Sequence, residues 1–361
     1  MVLLFSLVLA SLLIFLLGSA IRKHQGLTYI LTTVLACGAC AVSWLGLTKP
    51  LEGVPLALCN VFLQGGLAGA LFIYIMYAGA LPATSQIRKR VMPIRGPLSI
   101  MASILTLGHN AGYARYYVML FSSFSDMQPL TLAAALCSLV MDLIMLPLFV
   151  TSFLFIRKRM QPKKWKRLQR LAYLFYALMY IHVLLLNTPN ARTGVWTALL
   201  NVILYSCLFI GYAVMRISKE LLRKKKEGPA ACLPIAGLAI LACLLLFIFS
   251  PWNASSAPAS SLEKMDDSSL VYADGSYKGA ALGYNGRLKV KVTVENGKIA
   301  GLKVSSHVED EPYITDASEG VFAQILATGN TYADAVSAAT TTSDALMEAI
   351  RDALKDAVVS E

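Results

Sequence analysis

The sequence predicts a membrane all-α bundle of about eight transmembrane helices followed by a C-terminal α+β domain. Three features support that reading. The 361-residue chain is 57% hydrophobic, with a mean hydropathy of +0.61, well above what soluble globular chains carry. Its apolar residues gather into long runs up to about residue 250, after which the chain turns polar and alternating. Charge divides at the same place: the segment beyond Ser250 holds 16 acidic and 9 basic residues, the segment before it 5 acidic and 23 basic ones. The net charge of +11 is therefore a topology signal rather than a nucleic-acid footprint.

Eight apolar runs, at 2–20, 27–46, 56–81, 97–118, 129–155, 170–187, 194–215 and 230–250, are each long enough to cross a hydrocarbon core of about 30 Å. The first has no basic residues ahead of it and is followed by Arg22 and Lys23, so it reads as a span rather than a signal peptide. With the N-terminus outside, the cytoplasmic loops hold 20 Lys and Arg residues, against only Lys49, Arg115 and Arg192 on the opposite side. An even number of spans returns the chain to the outside. The expected setting is thus the inner membrane of a bacterium, with the lipid bilayer as partner and the C-terminal domain extracytoplasmic. All seven cysteines lie in apolar segments, and the Cys37–Cys40 pair, inside a span, reads as two small packing residues.

Two of the four histidines fall inside spans. His109 lies about 13 residues beyond the cytoplasmic end of the fourth span, and His182 lies 12 beyond Arg170 at the cytoplasmic end of the sixth. At 1.5 Å per residue both sit roughly 18–20 Å above the inner surface. Equal depth allows two neutral imidazoles to face one another, a ligand pair suited to a six-coordinate haem iron; the plainer alternative is two hydrogen-bonded packing residues. Asp142 is the one carboxylate at bilayer depth, which marks it for a function such as proton transfer. Arg115, roughly 9 Å beyond His109 along the helix, is placed either to meet haem propionates or to anchor the interface.

The stretch LPLFVTSFLFIRKRMQPKKWKRLQRLAYLFYALMYIH, residues 146–182, resembles the ferric-reductase-like transmembrane domain, particularly the haem-binding membrane subunit of the periplasmic methionine sulfoxide reductase system. The resemblance is clearest over residues 96–187. It implies that His109 and His182 bind haem b. The family carries a further histidine 13 residues before the second of these, where this chain has Gln169. Stacked haem positions 13 helical residues apart would be about 20 Å apart, so one outer haem rather than two is expected.

Residues 251–261, PWNASSAPASS, have the composition of a flexible tether. Domains are accordingly expected at 1–250, 251–271 as linker, and 272–361. Beyond the linker, Leu288, Val290, Val292 and Val294 alternate with polar residues, and Asn296-Gly297 precedes a further strand-like run, a strong hairpin signal. Leu346, Ala349, Ile350, Leu354 and Ala357 then mark a closing amphipathic helix. Ahead of that helix lies DAVSAATTTS, residues 334–343, whose small and hydroxyl side chains suit either a helix cap or a phosphate held at a helix N-terminus.

This segment, roughly 272–357, resembles the FMN-binding domain of flavoprotein subunits in Na⁺-translocating quinone reductase and Rnf complexes. DAVSAATTTS is similar to that family's flavinylation motif. The resemblance implies FMN on Thr340 through a phosphoester, installed by an extracytoplasmic flavin transferase, with Asp334 and Ser337 positioning it among Ala338, Ala339, Thr341, Thr342 and Ser343. Ala338 stands where the family has glycine. His307, Glu311 and Pro312 match a weaker His-x-Glu-Thr-Pro element imperfectly. Together the two halves read as an electron-transfer flavocytochrome, an oxidoreductase passing electrons from a cytoplasmic flavin reductase or a quinol through haem to FMN and an external acceptor. The alternative is a transporter or membrane anchor carrying a flavin sensor or carrier domain.

Overall fold

The computed structural model describes residues 2–45, 47, 53–122, 124–192, 195–225, 227–249, 266–309, 311–337 and 339–359. The chain separates into two compact units, the first formed by Met1–Arg115 and Ala134–Ser250, the second by Tyr116–Ala133 and Pro251–Glu361.

The first unit is helical. Its elements are α1 (Val2–Lys23), α2 (Gln25–Trp44), α3 (Gly53–Leu63), α4 (Gly66–Ala80), the short α5 (Gln86–Val91) and α6 (Arg95–Gly112). α7 (Ala114–Ser122) falls mostly in the second unit, and the first resumes with α8 (Pro129–Val150), α9 (Leu154–Arg157), α10 (Pro162–Gln169), α11 (Leu171–Arg192), α12 (Trp196–Arg223) and α13 (Glu227–Phe249). Among the described residues, seven helical stretches are long and apolar enough to cross a membrane, and eight if the pair α3 and α4 counts as one span. That pair bends by 60° at Gln64-Gly65, where the sequence alone reads as a single span over 56–81. Likewise the run 97–118 is interrupted at Tyr113, between α6 and α7. The apolar side chains that point outward, Leu16 and Val34 among them, suit a lipid-facing surface. Inside, Leu71, Leu98 and Met145 are almost fully enclosed, and Tyr176 stacks on Phe209 at 4.1 Å.

The second unit holds a three-stranded antiparallel sheet in the order β1-β2-β3, with β1 at Gly275–Leu282, β2 at Arg287–Glu295 and β3 at Lys298–Ser306. Asn296 and Gly297, at φ 55° and 76°, form the expected two-residue turn. Alternate residues of β2, Leu288 to Val294, face helices α14 (Glu311–Thr328) and α15 (Thr340–Leu354), where Val321, Ile325, Leu346 and Ile350 complete the core. Gly279 on β1 lets α15 cross at backbone contact: a Cβ there would lie 2.1 Å from the Ala349 carbonyl oxygen. Asp352 of α15 accepts a hydrogen bond from Ala280 N at 2.9 Å, which holds its carboxyl below the usual range with help from Lys355. The sheet and α15 together present the turn that carries the threonines.

Candidate functional site

The loop ahead of α15 is stitched down on its near side. Asp334 N donates to Gln324 Oε1 at 2.8 Å, Gln324 Nε2 donates to Asp334 O at 3.1 Å, and Ala333 N contacts Met347 Sδ at 3.1 Å. Ser343 closes the far side, receiving Val336 N at 3.1 Å while donating to Ala339 O at 3.0 Å. The first intrahelical bond of α15 runs from Ser343 N to Ala339 O, so the amides of Thr340, Thr341 and Thr342 precede the hydrogen-bond ladder, the arrangement that favours an anion at a helix N-terminus.

Within that turn the side chains sort into two groups. Thr340, Thr341, Ser337 and Asp334 are exposed, whereas Ala339, Thr342 and Ser343 are buried. Thr342 is locked: its hydroxyl donates to Glu309 Oε2 at 2.9 Å, and Glu309, only 1% exposed, also receives Asn285 N on Oε1 at 2.9 Å. Two donors of this kind make a buried carboxylate tolerable. Ala338 lies outside the described residues, as do the side chains of Glu311 and Pro312. His307 sits at the end of β3, half-buried.

Glu309 is the residue that sequence reasoning missed. Its signal was present, since His307-x-Glu309 has the spacing of the first half of the His-x-Glu-Thr-Pro element, while Glu311 is displaced by two residues.

In the helical unit, His109 on α6 reaches the break between α3 and α4, where its Nδ1 lies 2.5 Å from the carbonyl oxygen of Leu63, the last residue of α3. His182 on α11 places Nδ1 3.1 Å from the carbonyl oxygen of Ala134 on α8. A carbonyl only accepts, so both rings carry their proton on Nδ1 and present Nε2 with its lone pair, the form that binds metals. Asn110, next to His109, donates through Nδ2 to Asp142 Oδ1 at 2.6 Å. Gln169 donates to Thr151 Oγ1 at 3.3 Å, beside the Trp165 Nε1 bond to Thr151 O. The side chain of Arg115 lies outside the described residues.

The profile of the FMN-binding domain family matches residues 283–355, from the β1–β2 turn to the end of α15. The whole chain is similar to an uncharacterized protein of Treponema pallidum (strain Nichols), 35% identical over 356 residues that make up 98% of both chains.

Proposed function

Since this chain belongs to the family of the treponemal protein, and is a multi-span membrane protein with a C-terminal FMN-binding domain, we propose that it is an electron-transfer protein relaying electrons from the bilayer to an extracytoplasmic flavin. In this reading residues 1–250 form the membrane domain, 251–271 the linker and 272–361 the flavin domain. FMN is bound covalently through a phosphoester to Thr340, and one haem b is held between His109 and His182. The donor is a quinol or a cytoplasmic flavin reductase, and the acceptor lies outside the cell.

The observation that carries the redox reading is the shared anchoring of the two span histidines. Each ring is fixed by a backbone carbonyl on a different element, Leu63 O and Ala134 O, which sets the tautomer needed for axial ligation. With Nδ1 engaged, the two Nε2 atoms would supply the two imidazole ligands that a bis-histidine haem takes. Gln169, engaged with Thr151, supports a single haem. FMN, when bound, supplies a carrier of one or two electrons.

The chain's own contribution at the flavin end is positional. Small residues at 339–341 leave room for a phosphate to approach the backbone, Thr340 is exposed, and Thr342 is withheld by Glu309. The extracytoplasmic placement rests on the 20-to-3 distribution of basic residues. A reporter fused after Glu361 that works only outside the cytoplasm should be active, and activity of a cytoplasm-only reporter at that site would reverse the orientation.

The direct test is a reduced-minus-oxidised visible spectrum of the purified protein. A sharp α band and a shifted Soret band, with flavin bleaching on reduction, are expected. A flavin spectrum with no haem bands would remove the relay and leave a flavin domain on a membrane anchor or transporter.

A further inference from the structure

The second unit is not made from the C-terminal segment alone, because Tyr116–Ala133, the stretch between the membrane helices, belongs to it. Its contact with the flavin-domain sheet is specific at the backbone. Met127 pairs antiparallel with Gly286, Gln128 N donates to Asn285 O at 2.8 Å, and Gln128 Nε2 donates to Gly283 O at 2.6 Å. Asp126 lies 3.6 Å from Lys289 Nζ. Met127 and Asn285 are 6% and 5% exposed, as in a packed interior. The β1–β2 turn is shaped to receive this strap: a Cβ on Gly286 would fall 2.1 Å from Asp126 O, a collision between two backbones with no flexible side chain to yield.

The opposite side of the same turn faces the flavin-bearing helix. Asn285, whose carbonyl takes the strap's amide, gives its own N–H to Glu309 Oε1, and a Cβ on Gly283 would lie 2.6 Å from that oxygen. The other oxygen of Glu309 holds Thr342, two residues beyond Thr340. The turn is thus gripped between Gln128 on one side and a buried carboxylate on the other, and that carboxylate fixes the first turn of α15.

We propose that residues 126–128 form a built-in positioning strap for the flavin site, with Gln128 and Glu309 as positioning residues that set the first turn of α15 through the Gly283–Gly286 turn. The flavin domain is therefore completed by a segment whose sequence lies among the membrane helices. The consequence for flavin rests on the reading of Thr340 given above, whereas the mechanical coupling does not.

Both parts are tested in the full-length protein in detergent, using Gln128→Ala and Gly286→Val. In flavin-free protein, amide exchange at Asn285 and over residues 342–345 should quicken about tenfold in Gln128→Ala, as expected when a local hydrogen-bonded unit opens more often. The sheet amides of Val290 and Val292 should be unchanged. Unaltered exchange at 342–345 while the backbone amide at position 128 exchanges freely would overturn the coupling. If Gly286→Val fails to fold, Gln128→Ala alone decides the matter. In flavin-loaded protein, Gln128→Ala should alter the visible circular dichroism of the attached FMN, whereas a core variant of similar stability, Val321→Ala, should not. An identical signature in wild type and Gln128→Ala would refute the positioning role. Wild type that takes no label, combined with the exchange change, would refute the Thr340 reading and leave the strap standing.

Discussion

Replacing Thr342 with valine isolates the bond that holds the first turn of α15. The substitution is nearly isosteric, so it opens no cavity, and it removes the one hydroxyl that Thr342 gives to Glu309 at 2.9 Å. Thr342 is 3% exposed and Glu309 1%, so water cannot readily replace the lost donor. A hydrogen bond to a charged group contributes roughly 1.5–3 kcal/mol. For a unit of this size, a loss of about 2 kcal/mol corresponds to a fall in Tm on the order of 10 °C. The assay is thermal unfolding of full-length protein in detergent, followed by near-UV circular dichroism, with Thr342→Ser as the variant that keeps the hydroxyl. Thr342→Ser should unfold near the wild-type temperature. A Tm for Thr342→Val within about 2 °C of wild type would refute the idea that the Glu309 bond secures the helix.

Three further outcomes follow from the same geometry. His109→Ala and His182→Ala should each abolish the haem spectrum in folded protein, and full haem retained in both single variants would remove the bis-histidine assignment. Gly279→Ala places a methyl 2.1 Å from Ala349 O and 2.4 Å from Ala353 N, so the second unit should lose about 3 kcal/mol or more; a melting curve unchanged from wild type would contradict the close crossing of α15 over β1. Burial raises the Asp344 carboxyl above its ordinary value of 3.8, with Arg351 opposing. A carboxyl whose value is raised on folding costs nothing below 3.8, where both states hold the proton; its cost grows as pH rises above 3.8 and is complete above the folded value. Asp344→Asn should therefore raise Tm at pH 7 and lose most of that advantage near pH 3, and equal gains at both would reject the burial argument.

Much of the architecture was legible in the sequence because it is local. Continuous apolar runs reveal helices of membrane-crossing length, Asn296-Gly297 reveals the β2–β3 turn, and the 3.6-residue spacing of Leu346, Ile350 and Leu354 reveals the buried face of α15. The interruption at Gln64-Gly65 was not legible, since hydropathy reads straight through a short break between apolar helices and reports no direction. It gains its meaning only from the carbonyl it frees for His109. Glu309 was overlooked because its role depends on partners at 285 and 342, far along the chain, although its spacing from His307 was visible. The strap at 126–128 has no local signature at all. An Asp-Met-Gln tripeptide in a loop looks like any other, and only the long-range pairing with Gly286 identifies it.

The sorting of the threonines gives the flavin assignment its sharpest test. Three neighbouring threonines follow Ala339, and of these Thr342 is tied to Glu309 while Thr340 stands exposed at the first position of α15. Protein coexpressed with an active extracytoplasmic flavin transferase should retain flavin fluorescence in a denaturing gel, and the peptide containing Thr340 should gain the mass of one FMN. Thr340→Ala should lose the label while keeping the haem bands. A label that survives Thr340→Ala or maps to Thr341 or Thr342, or wild type that is never labelled, would contradict covalent FMN at Thr340.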